Sequence, residues 1–273
     1  MPARPEGDYV LGTEADEVER LGLQHRVWRP RVTDAWRRAG FTTGQHLIDL
    51  GCGPGYATVD LAAIVGPRGR ITAFDRSPSF LEKLAERAAR AELTNIESHR
   101  VELDSGSLPP LAADGAWARW VFAFVTRPRE LLAAVGSALK PGAPLVIFEY
   151  FNYTSWQLIP REPGLEEFVE GVVSTWRSTG GEPDIGIDLI AWLPQHGFRI
   201  EELRPITDIV GPDNFVWQWP GTFVEVGVSR LVSLGYFTAE RAAEIKAMFR
   251  KAAATPGTRM VTPGVVEIIA RKL

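Results

Sequence analysis

His46-Leu47-Ile48-Asp49-Leu50-Gly51-Cys52-Gly53-Pro54-Gly55-Tyr56 is the stretch on which the fold turns. Residues 47–50 read as a short buried strand, and residues 57–65 as the helix that follows it. Between them stand three glycines at alternate positions, where any side chain would keep a ligand away from the backbone. A helix that starts here aims free N–H groups, and the positive end of its dipole, at whatever lies over the turn. The dinucleotide fingerprint G-x-G-x-x-G is not met, because position 56 is Tyr and the third glycine comes one residue early.

Outward from the turn, apolar runs and helical stretches alternate. Residues 70–75 read as a second strand ending in Asp75, and Ser77-Pro78 opens a helix with a serine cap and proline in the first turn. Residues 96–103 read as a third strand ending at Asp104, 117–125 as a fourth, 131–139 as a helix, and 144–151 as a fifth strand after Lys140-Pro141-Gly142. Later, 184–196 reads as a helix stopped by Gly197, 198–205 as a sixth strand, 239–253 as a helix and 265–271 as the last strand. Strands and helices repeating through short loops imply parallel strands, right-handed crossovers and helices on both faces. Ligands then sit beyond the carboxyl ends of the strands. Before the first strand, Val18, Leu21, His25 and Trp28 mark one helical face; Pro30 is expected to interrupt it, leaving a second short helix over 32–38 stopped by Gly40.

The D-x-G-x-G-x-G run from Asp49 to Gly55, in register with Asp75, Asp104 and the Lys-Pro-Gly turn, resembles the class I S-adenosylmethionine (SAM) dependent methyltransferases. The resemblance covers roughly residues 41–205 and the final strand. It implies a doubly wound, Rossmann-like α/β fold with a seven-stranded sheet, mostly parallel, whose antiparallel last strand is inserted beside the fifth. It also implies SAM as cofactor and S-adenosylhomocysteine as product. The glycine-turn backbone would meet the methionine part, Asp75 the ribose and Asp104 the adenine, with Asp49, Gly51, Cys52, Gly53, Gly55, Arg76, Ser105 and Phe122 among the cofactor contacts. Two features depart from the family pattern. Trp117-Ala118 stands where Phe-Asp often opens the fourth strand, and the apolar run 122–125 identifies no substrate subclass.

Composition bounds the function. The 273 residues carry a net charge of −4 and 23% charged residues, with a pI near 5.7, which argues against a surface that tracks nucleic-acid phosphates. One cysteine excludes an internal disulfide. No signal peptide or apolar span of membrane length is visible, so a cytoplasmic location is expected. Cys52 reads as a small side chain fitted between glycines, not as a nucleophile. No His pair, second Cys or dense carboxylate group shows metal-ligand spacing, so the expectation is metal: none.

Residues 1–40 are expected to form a helical cap on a domain spanning 41–273, with lid insertions at about 152–182 and 207–258. Those insertions, with Trp192 beside them, hold Trp156, Trp176, Trp217 and Trp219 of the nine tryptophans. An aromatic lid suggests an apolar or aromatic acceptor, with Tyr150, Trp156, Trp176, Trp217 and Trp219 as substrate contacts. Methyl transfer by in-line displacement needs positioning and exclusion of water more than acid–base help. Of the four histidines, His46, His99 and His196 are expected away from the cleft; His25 is the one catalytic candidate, because the N-terminal helix can fold over the cofactor. Gln24 or Arg29 would then meet the methionine carboxylate, and Tyr9 the sulfonium or the acceptor. The reading is a small-molecule methyltransferase with no nucleic-acid or membrane partner and a homodimer left open. The alternatives are an RNA or protein methyltransferase and, from another class, an NAD-dependent oxidoreductase.

Overall fold

The computed structural model describes residues 15–273; Tyr9 lies outside them. Five strands follow one another in the first half of the chain: β1 (His46–Leu50), β2 (Arg70–Asp75), β3 (Ile96–Arg100), β4 (Gly115–Arg119) and β5 (Pro144–Asn152). Between them run α2 (Tyr56–Val65), α3 (Pro78–Arg90) and α4 (Pro128–Ala138), after the N-terminal α1 (Ala15–Ala39). Then come β6 (Gln157–Ile159), α5 (Pro163–Ser178), α6 (Ile185–Trp192), β7 (Phe198–Ile206), β8 (Ile209–Val210), α7 (Gln218–Ser233), α8 (Ala239–Ala254), β9 (Arg259–Val261) and β10 (Gly264–Lys272).

The main sheet has seven strands in the order β3-β2-β1-β4-β5-β10-β7. β1 to β5 pair in parallel, and β10 runs antiparallel between β5 and β7. This is the seven-stranded Rossmann-like sheet that the resemblance implies. Continuous apolar runs make its centre: Leu145 to Phe148 of β5 and Ile268 to Ala270 of β10 are at most 1% exposed, as a sheet covered on both faces requires. β6, β9 and β8 form a second, three-stranded antiparallel sheet that joins the two insertions. Among the described residues no helix is long and apolar enough to cross a membrane.

Four boundaries differ from the sequence reading. The third strand ends at Arg100, and Asp104 sits in a single 3₁₀ turn, Leu103–Ser105, closed by the Ser105 N–H on the Glu102 carbonyl at 2.9 Å. The fourth strand ends at Arg119. Past it the Trp120 N–H donates to the Phe148 carbonyl at 3.0 Å, and Glu149 of β5 takes the two N–H groups after it: its Oε1 accepts from Val121 at 2.6 Å and Phe122 at 2.8 Å. Trp120, just before them, adopts a left-handed φ of 52°. Pro30 does not break the N-terminal helix, which runs unbroken through 39; Trp28, Val32, Ala35 and Trp36 on both sides of it are fully buried. That burial outweighs the lost backbone hydrogen bond. The helix after Asp184 ends at Trp192, before a 3₁₀ turn that opens at Pro194.

The buried face of α1 also differs from the expected apolar stripe. Val18 and Leu21 are half-buried, whereas Glu17, Arg20 and Gln24 are at most 7% exposed. A helix buries charge only against partners or a site.

Candidate active site

At the carboxyl ends of β1, β4 and β5 a cavity of about 980 Å³, counting its open mouth, lies between the sheet and helices α1, α5 and α7. Its sheet-side wall begins at the glycine turn. Gly53 has φ 53°, and a Cβ there would project into space with nothing within 4 Å. Gly55, at φ 84°, packs so closely that a Cβ would stand 2.3 Å from Leu84 Cδ1. The turn therefore leaves its backbone open toward the cavity and closed toward α3. Asp75 braces it from behind: Gly53 N–H donates to its Oδ2 at 2.8 Å and Ser77 N–H to its Oδ1 at 2.9 Å.

Two buried ionisable groups, Asp49 and Arg119, line this wall, and a third, Glu149, is buried outside the lining. Asp49 accepts the Thr58 hydroxyl at 2.6 Å; burial pushes its carboxyl up to about 7, against the pull of Thr58 and Arg119. Burial brings the Arg119 guanidinium down to about 10, with Asp49 opposing. Its Nη2 lies 3.5 Å from His25 Nδ1, and its Nη1 is buried without a hydrogen-bond partner among the described residues. Glu149 is pushed up to about 8 by burial despite the backbone N–H groups on it. Cys52 is driven the same way by burial and by Asp75 and Asp49, so its thiol stays protonated.

The helix-side wall is different. Arg20 of α1 donates through Nε and Nη2 to both Glu17 oxygens at 2.7 Å, and through Nη1 to Gln24 Oε1 at 2.9 Å. Beyond this ladder the wall is aromatic. Trp120, Tyr150 and Trp219 lie nearly parallel, with Trp120 5.4 Å from Tyr150 and 5.6 Å from Trp219. Trp28 of α1 meets Trp219 edge-on at 4.8 Å and locks α1 to α7. Phe124, Tyr153 and Trp176 face them; Phe124 and Trp176 meet at 4.6 Å.

Of the residues expected from sequence, Gln24, Asp49, Gly51, Cys52 and Gly53 line the cavity, as do Tyr150, Trp156, Trp176 and Trp219. Gly55, Asp75, Arg76, Asp104, Ser105, Phe122 and Trp217 do not line it. Asp104 Oδ1 accepts the Thr126 N–H at 2.5 Å, Phe122 is fully buried, and Trp217 packs on Phe249 at 5.6 Å. His25 sits behind the lining, its Nε2 3.0 Å from Asp60 Oδ2; burial lowers its pKa, against the pull of Asp60. Arg29 donates to the same Asp60 oxygen at 2.7 Å and lies outside the cavity. Sequence reading missed Glu17, Arg20, Arg119, Trp120, Tyr153 and Phe223. For Arg119 a signal existed: a lone charge in the apolar run Ala116-Trp117-Ala118-Arg119-Trp120.

A family model described as a methyltransferase domain matches residues 47–142, from β1 to the turn before β5. The trans-aconitate 2-methyltransferase of Paracidovorax citrulli is 32% identical over 110 residues, 40% of each chain. The 2-phytyl-1,4-naphtoquinone methyltransferase of Synechococcus elongatus is 28% identical over 56% of this chain and 61% of its own. These curated relatives are thus matched over about half their length. A Bacillus halodurans structure titled a putative methyltransferase superposes with a TM-score of 0.60 at 14% identity, over 88% of this chain and 97% of that one. Residues 47–142, the glycine turn and the strands around it, thus match a methyltransferase domain, set in a seven-stranded sheet of the kind that the resemblance to the class I SAM-dependent methyltransferases implies.

Proposed function

We propose that the protein methylates a small, flat, apolar or aromatic acceptor, using SAM and no metal. The observation that carries this reading is the two-sided cavity. A glycine turn with its backbone open stands on one side, and an aromatic wall at contact distance from the same space stands on the other. The residues present fit the cofactor: Gly53 leaves the space that a Cβ would fill, and Arg119 Nη1 is a buried donor with no protein partner among the described residues. When bound, SAM supplies a methyl group activated on a sulfonium, which in-line attack by the acceptor transfers.

The chain's own residues position and desolvate. Glycine-turn N–H groups and Asp49 meet the amino-acid end, with Gln24 over it from α1. Trp120, Tyr150, Trp176 and Trp219 hold a flat acceptor and keep water out. Aromatic faces also favour the positive sulfur. The acidic side chains of the lining, Glu17 and Asp49, are already engaged by Arg20 and by Thr58, a donor set that suits no divalent cation. Residues 1–40 serve as a cap, and 152–182 with 207–258 as the lid on the acceptor. The net charge of −4 suits a small-molecule partner over nucleic acid.

The test is incubation of the purified chain with SAM, EDTA and a panel of naphthols, quinols and aryl carboxylates, read by mass spectrometry. A methylated product formed in EDTA is the expected result. Turnover that collapses in EDTA and returns with magnesium overturns the metal-free reading; S-adenosylhomocysteine binding without transfer to any flat acceptor overturns the acceptor class.

A further inference from the structure

Arg119 is the one ionised group of the cavity whose charge the described residues leave unanswered. The other cation of the lining, Arg20, spends three donors on Glu17 and Gln24. Arg29, placed by sequence at the cofactor, spends its fork on Asp60 outside. Arg119 extends from the end of β4 beneath α1, faced by Asp49, His25, Tyr150 and, farther off, Asp60. None of these is a good counter-ion. Asp49 is committed to Thr58 and half neutral near pH 7. His25 presents its other nitrogen to Asp60. The Tyr150 hydroxyl is pushed above its ordinary range by burial and stays neutral. A desolvated guanidinium with an orphaned Nη1 costs the free protein stability unless an oxyanion meets it.

We propose that Arg119 is the oxyanion receptor of this cavity, taking a carboxylate through its Nη1 edge. The inference rests on the proposed function and assigns to Arg119 the job for which sequence offered Gln24 or Arg29. Two sources bring that chemistry. One is the amino-acid end of the cofactor, favoured because Arg119 lies beside Asp49, so that the pair matches the charges of a zwitterion. The other is an acidic acceptor against the aromatic wall. Either way, the two arginines of the lining make a cationic amine a poor occupant of the acceptor side.

Calorimetry on the full chain distinguishes the sources. Wild type, Arg119→Gln and Arg119→Lys are titrated with S-adenosylhomocysteine and with S-adenosyl-3-thiopropylamine, the same molecule without its carboxylate. 2-Naphthoate and 2-naphthamide are then titrated with S-adenosylhomocysteine saturating. If the cofactor is the source, Arg119→Gln binds S-adenosylhomocysteine roughly 10- to 100-fold more weakly, the range for a charge-assisted hydrogen bond, and binds the thiopropylamine unchanged. If the acceptor is the source, the same loss falls on naphthoate and spares naphthamide. Arg119→Lys, which keeps charge but not the fork, should recover part of the affinity. Thermal unfolding of each variant checks that it folds. Should Arg119→Gln fail to fold, wild type alone decides: equal affinity for each acid and its partner without the carboxylate overturns the proposal. So does Arg119→Gln binding both acids within twofold of wild type. Failure of the SAM reading itself looks different, since wild type would then bind no S-adenosylhomocysteine at all.

Discussion

The two walls of the cavity are held by different physics. The sheet-side wall is built from positive-φ glycines and the buried ionisable groups Asp49 and Arg119, with Glu149 buried outside the lining, each shifted by burial. The helix-side wall is built from rings in edge and stacked contact, with Trp28 and Trp219 at 4.8 Å joining α1 to α7, plus the Arg20 ladder. One wall stores electrostatic cost in buried charge; the other stores apolar area in packed rings. The first should therefore answer to pH and to backbone strain, the second to acceptor shape. Buried groups held away from their ordinary pKa values cluster at sites of chemistry, and Asp49 and Arg119 of the lining are two such groups.

The largest expected effect tests that asymmetry. Glu149 has a folded-state pKa near 8 against an ordinary 4.5. Ionising it costs the folded state more than the unfolded, so its contribution is intact below pH 4.5 and is lost as pH rises through about 8. Glu149→Gln keeps the acceptor for Val121 and Phe122 and removes the titration. Between pH 5 and pH 9 wild type should lose on the order of 3 kcal/mol more stability than the variant. Parallel denaturation curves for the two proteins across that range would break the assignment.

Next comes the glycine turn. Gly55→Ala forces a side chain into φ 84° with its Cβ 2.3 Å from Leu84 Cδ1 and 3.1 Å from Leu84 Cα. Strain and overpacking together should cost about 2–4 kcal/mol. Gly53→Ala meets strain without collision, so it should lose less stability while weakening S-adenosylhomocysteine binding, because its Cβ enters the ligand's space. If the two variants unfold at the same temperature, the turn is not closed on one side and open on the other.

How far sequence reaches follows the same division. The glycine turn, Asp49 and the order of strands are local patterns, so spacing exposes them. The helix-side wall depends on where α1, α5 and α7 pack, which no local pattern records. Trp156, Trp176 and Trp219 were legible as a set because lids are aromatic; Trp217 carries the same signal and turns instead to Phe249. Val18 and Leu21 suggested an apolar face for α1, but Glu17, Arg20 and Gln24 are the buried ones, because one ladder satisfies all three. The end of the fourth strand was misplaced for a similar reason, since Glu149, distant in sequence, accepts the N–H groups of Val121 and Phe122; the third strand instead gives way to a local 3₁₀ turn at Leu103–Ser105.

Tyr150 is where the two walls meet, and its variant should show the smallest effect. It belongs to the sheet by sequence, at the end of β5, yet its ring stacks 5.4 Å from Trp120 and its hydroxyl lies in the field of both Arg20 and Arg119. Burial holds that hydroxyl protonated well above working pH, and the two arginines only partly offset it. A phenol in that state can orient an acceptor by one hydrogen bond but cannot remove its proton. Tyr150→Phe keeps the ring, so methyl-transfer kcat/KM should fall by about tenfold or less, the worth of a single neutral hydrogen bond, roughly 1 kcal/mol. The pH profile of kcat should stay unchanged. A fall of more than a hundredfold, or loss of a basic limb from that profile, would make Tyr150 a base and move the chemistry onto the aromatic wall.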